Sequence, residues 1–276
     1  MSHCPRLKSR EREATEFYDE VVLPHRSFFA KVLMTNLYKT LLRYTLFRKD
    51  GSLVSLEKNY GVIERLLRGQ QVTGILDAGA STGRISKRYL RMFPDAHVYA
   101  FEPQPLYRQV LTMGALSNPR FHPFFVALSD VSGTIDLHIT KSPGTTSFFR
   151  PTTHMRSLYP EATTIAAVER VEVITIDNWA ETHGDPKIQL MKFDIQGAEL
   201  KALQGAERTL RDATLLVYIE ISFNSLYEGG ALFGEIDMSL REAGFVLYNF
   251  YKPRSDAKGM LIQADAIYIH GERLRL

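Results

Sequence analysis

Apolar positions change their spacing several times along these 276 residues, and each change marks an element. Over residues 14–47 they recur at helical intervals, interrupted once by Pro24. Phe29, Leu33, Leu37 and Leu41 share one face, with Lys31, Thr35, Lys39 and Arg43 on a neighbouring polar one. Residues 53–67 predict a second amphipathic helix, closed by Gly69. From residue 73 short apolar runs alternate with helical stretches. Strands are predicted at 73–77, 97–101, 121–127, 134–140, 171–176, 188–194, 215–219, 245–251 and 264–270. Helices are predicted at 83–92, 106–115, from about 199 to 210, and at 233–243, with a short one after Asp177 that contains Trp179. This alternation predicts an α/β fold: a mostly parallel sheet with helices on both faces, and an antiparallel edge formed by the last two strands. Residues 141–168 differ, being rich in Thr, Ser, Pro and aromatics without a clean period. A loop of that length is expected to be functional, here as a lid (141–169) over a ligand.

The stretch Gly74-Ile-Leu-Asp-Ala-Gly-Ala-Ser-Thr-Gly83 carries the first chemical signal. A buried strand, a glycine turn and a helix start form the opening unit of a nucleotide-binding sheet. Dinucleotide turns read G-x-G-x-x-G, and their middle glycine lets a pyrophosphate lie on the backbone. Here Gly79 takes the first position, Ser81 the middle one, and Gly83 follows. Ser81 argues against a pyrophosphate and suits a nucleoside whose tail is not a phosphate, such as S-adenosylmethionine. Glu102 lies 19 residues after Gly83, at the end of the next apolar run, where an acid can accept from both ribose hydroxyls. Pro103 follows it at a helix start, where its missing N–H costs nothing. The bland alternatives are a tight turn that binds nothing and a solvated carboxylate at a strand end.

Composition narrows the class. Hydrophobic content of 45% and charged content of 24% are those of an ordinary globular chain. A single cysteine, Cys4, excludes a disulfide framework and a thiolate metal site. The first twenty residues lack an apolar leader, and no run is long enough to span a bilayer, so a cytoplasmic protein without stable membrane insertion is expected. Residues 1–60 carry 11 Lys/Arg against 7 Asp/Glu, and the remainder 23 against 24. The body is therefore close to neutral, which argues against nucleic acid as substrate. The basic N-terminal helices could touch an anionic membrane surface, or pack on the body as a lid or homodimer contact.

Four segments together resemble the FkbM-type S-adenosylmethionine-dependent methyltransferases. They are Asp77-Ala-Gly-Ala-x-x-Gly83, Phe101-Glu-Pro103, Ala127-Leu-Ser-Asp130 with Gly133, and Lys192-Phe-Asp-Ile-Gln-Gly-Ala-Glu199. The last is the most specific. The resemblance covers roughly residues 70–270 and implies a Rossmann-like class I methyltransferase domain at 70–276, with residues 1–69 as an N-terminal helical arm. It implies methyl transfer to a hydroxyl of a small-molecule acceptor such as a sugar or polyketide. It also implies that Asp77, Gly79, Ala80 and Gly83 line the methionine end of the cofactor, that Glu102 holds the ribose, and that Ala127, Leu128 and Ser129 flank the adenine. Family members often carry Asn where this chain has Ser81.

Asp194 and Glu220 end two successive apolar runs, and ligands in such sheets bind beyond the carboxyl ends of the strands. Asp194 can hold the cofactor's ammonium, act as a base, or share a divalent metal with Glu220, the metal being least favoured; it can also simply pair with Lys192. Glu199 sits in a first helical turn, where the helix dipole alone favours an acid. Asn224 and Tyr227 follow the Glu220 strand and are candidates to touch the acceptor, and His154 in the long loop is a candidate base. Two other functions stay open: a nicotinamide-dependent oxidoreductase, against which Ser81 speaks, and a non-enzymatic membrane-surface adaptor built on the basic arm.

Overall fold

A computed structural model describes residues 58–274. The N-terminal expectations (the amphipathic arm, its membrane or homodimer roles, and Cys4) lie outside these residues.

The first described helix, α1 (Asn59–Leu66), buries Val62, Ile63 and Leu66. These side chains join a core shared with Tyr89, Val98 and Ile267. The arm boundary expected at residue 69 therefore falls after a helix that packs into the body. Strand β1 (Gly74–Ala78) is buried along its whole length. Helix α2 (Arg84–Met92) follows, burying Ser86, Tyr89 and Leu90 at i, i+3 and i+4. Then come β2 (His97–Phe101), a 3₁₀ turn (Pro105–Tyr107), α3 (Arg108–Ser117) and β3 (Phe121–Phe124). The middle of the chain holds β4 (Ala127–Leu128), β5 (Gly133–Thr140), α4 (Thr153–Leu158), β6 (Ile165–Ile174) and α5 (Ile176–Thr182). The last part runs β7 (Leu190–Phe193), α6 (Glu199–Gln204), α7 (Glu207–Ala213), β8 (Leu216–Ser222), α8 (Phe233–Glu242), β9 (Phe245–Ser255) and β10 (Leu261–His270).

Seven strands form the main sheet in the order β3-β2-β1-β7-β8-β10-β9. The first five run parallel to one another, and β10 runs antiparallel to both β8 and β9. This is the Rossmann-like topology that the resemblance implies, mostly parallel with an antiparallel edge. Both faces are covered. One core centres on Trp179, Phe193, Leu203 and Leu240, and the other on Ile63, Tyr89, Leu111 and Ile267. Burial of each large aliphatic side chain contributes about 1.5–3 kcal/mol.

Two expectations about the middle of the chain are corrected. The run at 134–140 does not extend the main sheet. As β5 it pairs antiparallel with β6, and β4 pairs parallel with the end of β6, giving a separate three-stranded sheet. The loop expected up to residue 168 contains α4 and the first half of β6. Residues 166–170 of β6 are exposed, held by backbone pairing to β5, and show no apolar alternation to read; the strand predicted at 171–176 covers only the last part of β6, and Ile176 already begins α5. The helix expected from 199 to 210 is also broken, at Gly205, into α6 and α7. No helix among the described residues is long and apolar enough to cross a membrane.

Candidate functional site

Strands β2, β1, β7 and β8 run in the same direction, and a cavity of about 570 Å3 opens beyond their carboxyl ends. That volume lies in the range of small-molecule sites. One wall is the turn between β1 and α2. Gly79 has φ +76°, and a Cβ there would stand 2.0 Å from the Asp194 carbonyl oxygen. Only glycine lets the tips of β1 and β7 approach this closely. The N–H groups of Gly79 and Ala80 donate to the Phe101 carbonyl at 2.9 and 3.1 Å, drawing the turn towards β2. Ser81, at the middle-glycine position, is itself left-handed with φ 51°.

That conformation aims the Ser81 N–H at Glu102 Oε2, at 2.8 Å, while the Gln104 N–H donates to Oε1 at 3.0 Å. Glu102 is 3% exposed and lines the cavity. Burial raises its pKa, and the two backbone bonds pull it back in part. A carboxylate offers about four lone-pair sites, so two backbone bonds leave acceptor capacity for a vicinal diol.

Asp77 stands behind this wall and does not line the cavity. It is fully buried; Ser86 Oγ donates to Oδ2 at 2.5 Å, and Lys192 Nζ lies 3.1 Å from Oδ1. Asp77 and Lys192 are register partners on β1 and β7, which puts their side chains together on one face. Lys192 also donates to the Ala78 and Gly79 carbonyls, each at 2.9 Å. Its ion-pair partner is thus Asp77 and not Asp194. Burial alone would depress the Lys192 pKa, but the charges of Asp77 and Asp194 outweigh it and hold the ammonium above its usual value.

Asp194 and Glu220 both reach the cavity, from the neighbouring strands β7 and β8. They meet through a third side chain. Gln196 Nε2 donates to Asp194 Oδ1 at 2.8 Å and to Glu220 Oε2 at 3.0 Å. The Tyr227 hydroxyl donates to Gln196 Oε1 at 2.8 Å. Gln196 holds φ 57°, and Gly197 follows at φ +98°, where a Cβ would come within 3.0 Å of the Tyr227 ring. Burial, then the charge of Asp194, pushes the Glu220 carboxyl well above the ordinary range. Glu199 faces away from the cavity. Its carboxylate accepts from the N–H groups of Ile195 and Gly197, each at 2.9 Å, and clamps the turn that carries Gln196.

Of the remaining expected residues, Ala80, Ser81, Pro103, Ala127 and Leu128 line the cavity. Gly83 is the N-cap of α2 and lies outside the lining. Ser129 turns its hydroxyl to Asp130. His154 on α4 lies outside the lining, with Nε2 buried and unpartnered. Asn224 donates to the Leu261 carbonyl, and Tyr227 is buried behind Gln196. The segment 142–148 with Met155, Tyr159 and Ala162 forms the wall contributed by the expected lid. Sequence reasoning missed Gln104, Tyr107, Arg254 and Gln263, which also line the cavity, and gave Gln196 no role. Gln196 could have been found inside the Lys192–Glu199 motif; Arg254 and Gln263 carry no signal until β9 and β10 pair. Among the described residues, no group of three or more His, Cys, Asp or Glu is arranged to hold a metal ion.

The Methyltransferase FkbM domain matches residues 77–247. The 2-O-methyltransferase NoeI of Sinorhizobium fredii (strain NBRC 101917 / NGR234) is 34% identical over 164 residues, 56% of this chain and 65% of that protein, a little under two thirds of its length. Methyltransferase sdnD of Sordaria araneosa is 25% identical over 195 residues, 62% of this chain and 73% of that protein. The crystal structure of Methyltransferase FkbM from Methylobacillus flagellatus KT aligns with a TM-score of 0.45 at 14% identity, covering 72% of this chain and 44% of that one. With the FkbM domain spanning more than half of its length, the chain belongs to the FkbM methyltransferase family.

Proposed function

We propose that this protein transfers a methyl group from S-adenosylmethionine to a hydroxyl oxygen of a small molecule, with residues 70–276 as the domain that carries the chemistry. The observation that carries this reading is Glu102: a buried carboxylate at the end of β2, fixed by two backbone N–H groups, facing the cavity opposite the β1–α2 turn. Glu102 would hold the ribose hydroxyls, Ala127 and Leu128 would flank the adenine, and the backbone of 79–82 with Asp194 would hold the methionine end. The antiparallel β10 departs from the all-parallel order of dinucleotide-binding sheets, so nothing favours a nicotinamide enzyme.

When bound, S-adenosylmethionine supplies an electrophilic methyl on a sulfonium. The chain's own groups align and deprotonate the acceptor. Positioning alone can supply several orders of magnitude in an in-line displacement. The Glu220 carboxylate would take the hydroxyl proton as the oxygen gains the methyl and the sulfonium leaves as a neutral thioether. Gln196 holds that carboxylate beside Asp194, so its orientation is fixed before the acceptor arrives. Asp77 and Lys192 act indirectly, by fixing the backbone of the turn.

Isothermal titration tests the assignment. Glu102→Ala should weaken S-adenosylmethionine binding by about tenfold or more, the loss of hydrogen bonds to a charged group, while the fold persists. Unchanged affinity in a folded variant refutes it. Labelled S-adenosylmethionine incubated with host metabolite extract, with and without EDTA, then reads out the acceptor and any metal requirement.

A further inference from the structure

The antiparallel edge of the sheet brings two more polar side chains to the cavity, and neither makes a hydrogen bond among the described residues. On β10, Gln263 is 7% exposed and lines the cavity, yet its carboxamide makes no hydrogen bond among the described residues. The polar end of this side chain opens onto the cavity, where it can meet a ligand. Its register partner on β9 is Arg254, which also lines the cavity and forms no ion pair among the described residues. The other cation on this part of β9, Lys252, is taken by Asp265 at 2.6 Å. Arg254 thus presents a guanidinium without a hydrogen-bonded partner among the described residues, beside the Gln263 amide in the cavity wall, and its charge reaches Glu220.

Their place in the sheet says what they would bind. Gln263 pairs with Ser222, two residues beyond Glu220 on β8, or roughly 6–7 Å along the strand. On the other side, β10 is three strands from β1, roughly 14 Å away, beyond reach of the turn that would take the methionine end. The pair therefore faces the acceptor. A guanidinium offers only donors, in a planar fork matched to a carboxylate or phosphate, and the Gln263 amide adds another donor. Resting on the methyl-transfer reading above, we propose that Arg254 and Gln263 form an anion subsite, and that the acceptor is a hydroxyl compound bearing a carboxylate or phosphate close to the hydroxyl that is methylated.

The test uses the full chain and a host metabolite extract split on an anion-exchange resin into retained anions and flow-through. With methyl-labelled S-adenosylmethionine, label should enter compounds of the retained fraction. Prior alkaline phosphatase abolishes that labelling if the anion is a phosphate and spares it if it is a carboxylate. With the retained fraction, Arg254→Gln should raise KM by about tenfold or more, because it removes a bidentate charged contact to the acceptor's anion; KM is read on the pH plateau of kcat, since the Arg254 charge also acts on Glu220. Arg254→Lys should recover only part of the loss, since an ammonium lacks the fork. Gln263→Leu should raise KM less. S-adenosylhomocysteine affinity, measured by calorimetry, should be unchanged in all three, which also verifies folding. Label entering only flow-through compounds, or an Arg254→Gln KM equal to wild type, overturns the subsite and leaves methyl transfer standing. No label in any fraction from wild type overturns both.

Discussion

In the proposed mechanism, Glu220 carries the proton transfer. Its carboxyl is held above the ordinary range by burial and by the charge of Asp194, while Gln196 fixes one of its oxygens. A carboxylate of raised basicity is better matched to taking a hydroxyl proton near neutral pH than an ordinary one. The sign follows: the protonated form cannot accept, so kcat should climb as pH rises through the elevated Glu220 pKa and then level. Glu220→Gln should cut kcat by about 10²–10⁴ and flatten that climb, with cofactor affinity retained. A pH–rate profile of both forms checks it; a climb that persists in the variant assigns the base elsewhere. Residue-level placement was only partly legible in the sequence. Glu102, the alternating strand tips and the turn could be read because each depends on spacing along one segment. The inward-facing Asp77 could not, because its neighbour Lys192 is 115 residues away and only strand pairing brings the two together.

At the scale of elements, the turn between β7 and α6 is held by a group that looks, in sequence, like a helix-dipole ornament. Glu199 is buried at 4% exposure and accepts from two N–H groups of that turn. Burial pushes its pKa up to about 7, against the pull of those backbone bonds. A carboxyl that keeps its proton longer in the folded state makes that state bind more protons than the unfolded chain. Stability from this group is therefore present below its ordinary value of 4.5 and is lost as pH rises towards about 7. Urea unfolding at a series of pH values should show that decline, and Glu199→Gln should remove this part of it; an identical pH dependence in the variant contradicts the assignment. The strand bounds of β2 agree with the sequence reading, and those of β1 and α2 differ by one residue, because each is a short periodic run between turn residues. The stretch from Lys141 onward resisted reading for the opposite reason. Exposed β6 is specified by its partners β4 and β5, and Pro143–Thr145 and α4 are too short to show a period.

For the whole molecule, the buried Asp77–Lys192 pair joins the two central strands below the cavity. Removing one member of such a pair leaves an uncompensated charge in the core, whereas removing both can be nearly neutral. Lys192→Met should cost about 3–5 kcal/mol, and the double variant Asp77→Leu/Lys192→Met should recover much of that loss. Chemical denaturation of the single and double variants measures both; a Lys192→Met protein as stable as wild type excludes the pair as a structural tie. The architecture as a whole was readable, since alternating periods fix a layered α/β sheet. The second sheet was not, because it is built from pairings between segments rather than from any pattern within one.

The position of β10 has a consequence for how the molecule is made. Leu261–His270 lies between β8 and β9, yet it leaves the ribosome after both. Until it arrives, the β8 flank is an open row of amide and carbonyl groups bordered by apolar side chains, able to recruit a strand from another nascent polypeptide. Deleting Leu261–His270 would thus leave the middle of the sheet's antiparallel half permanently unsealed.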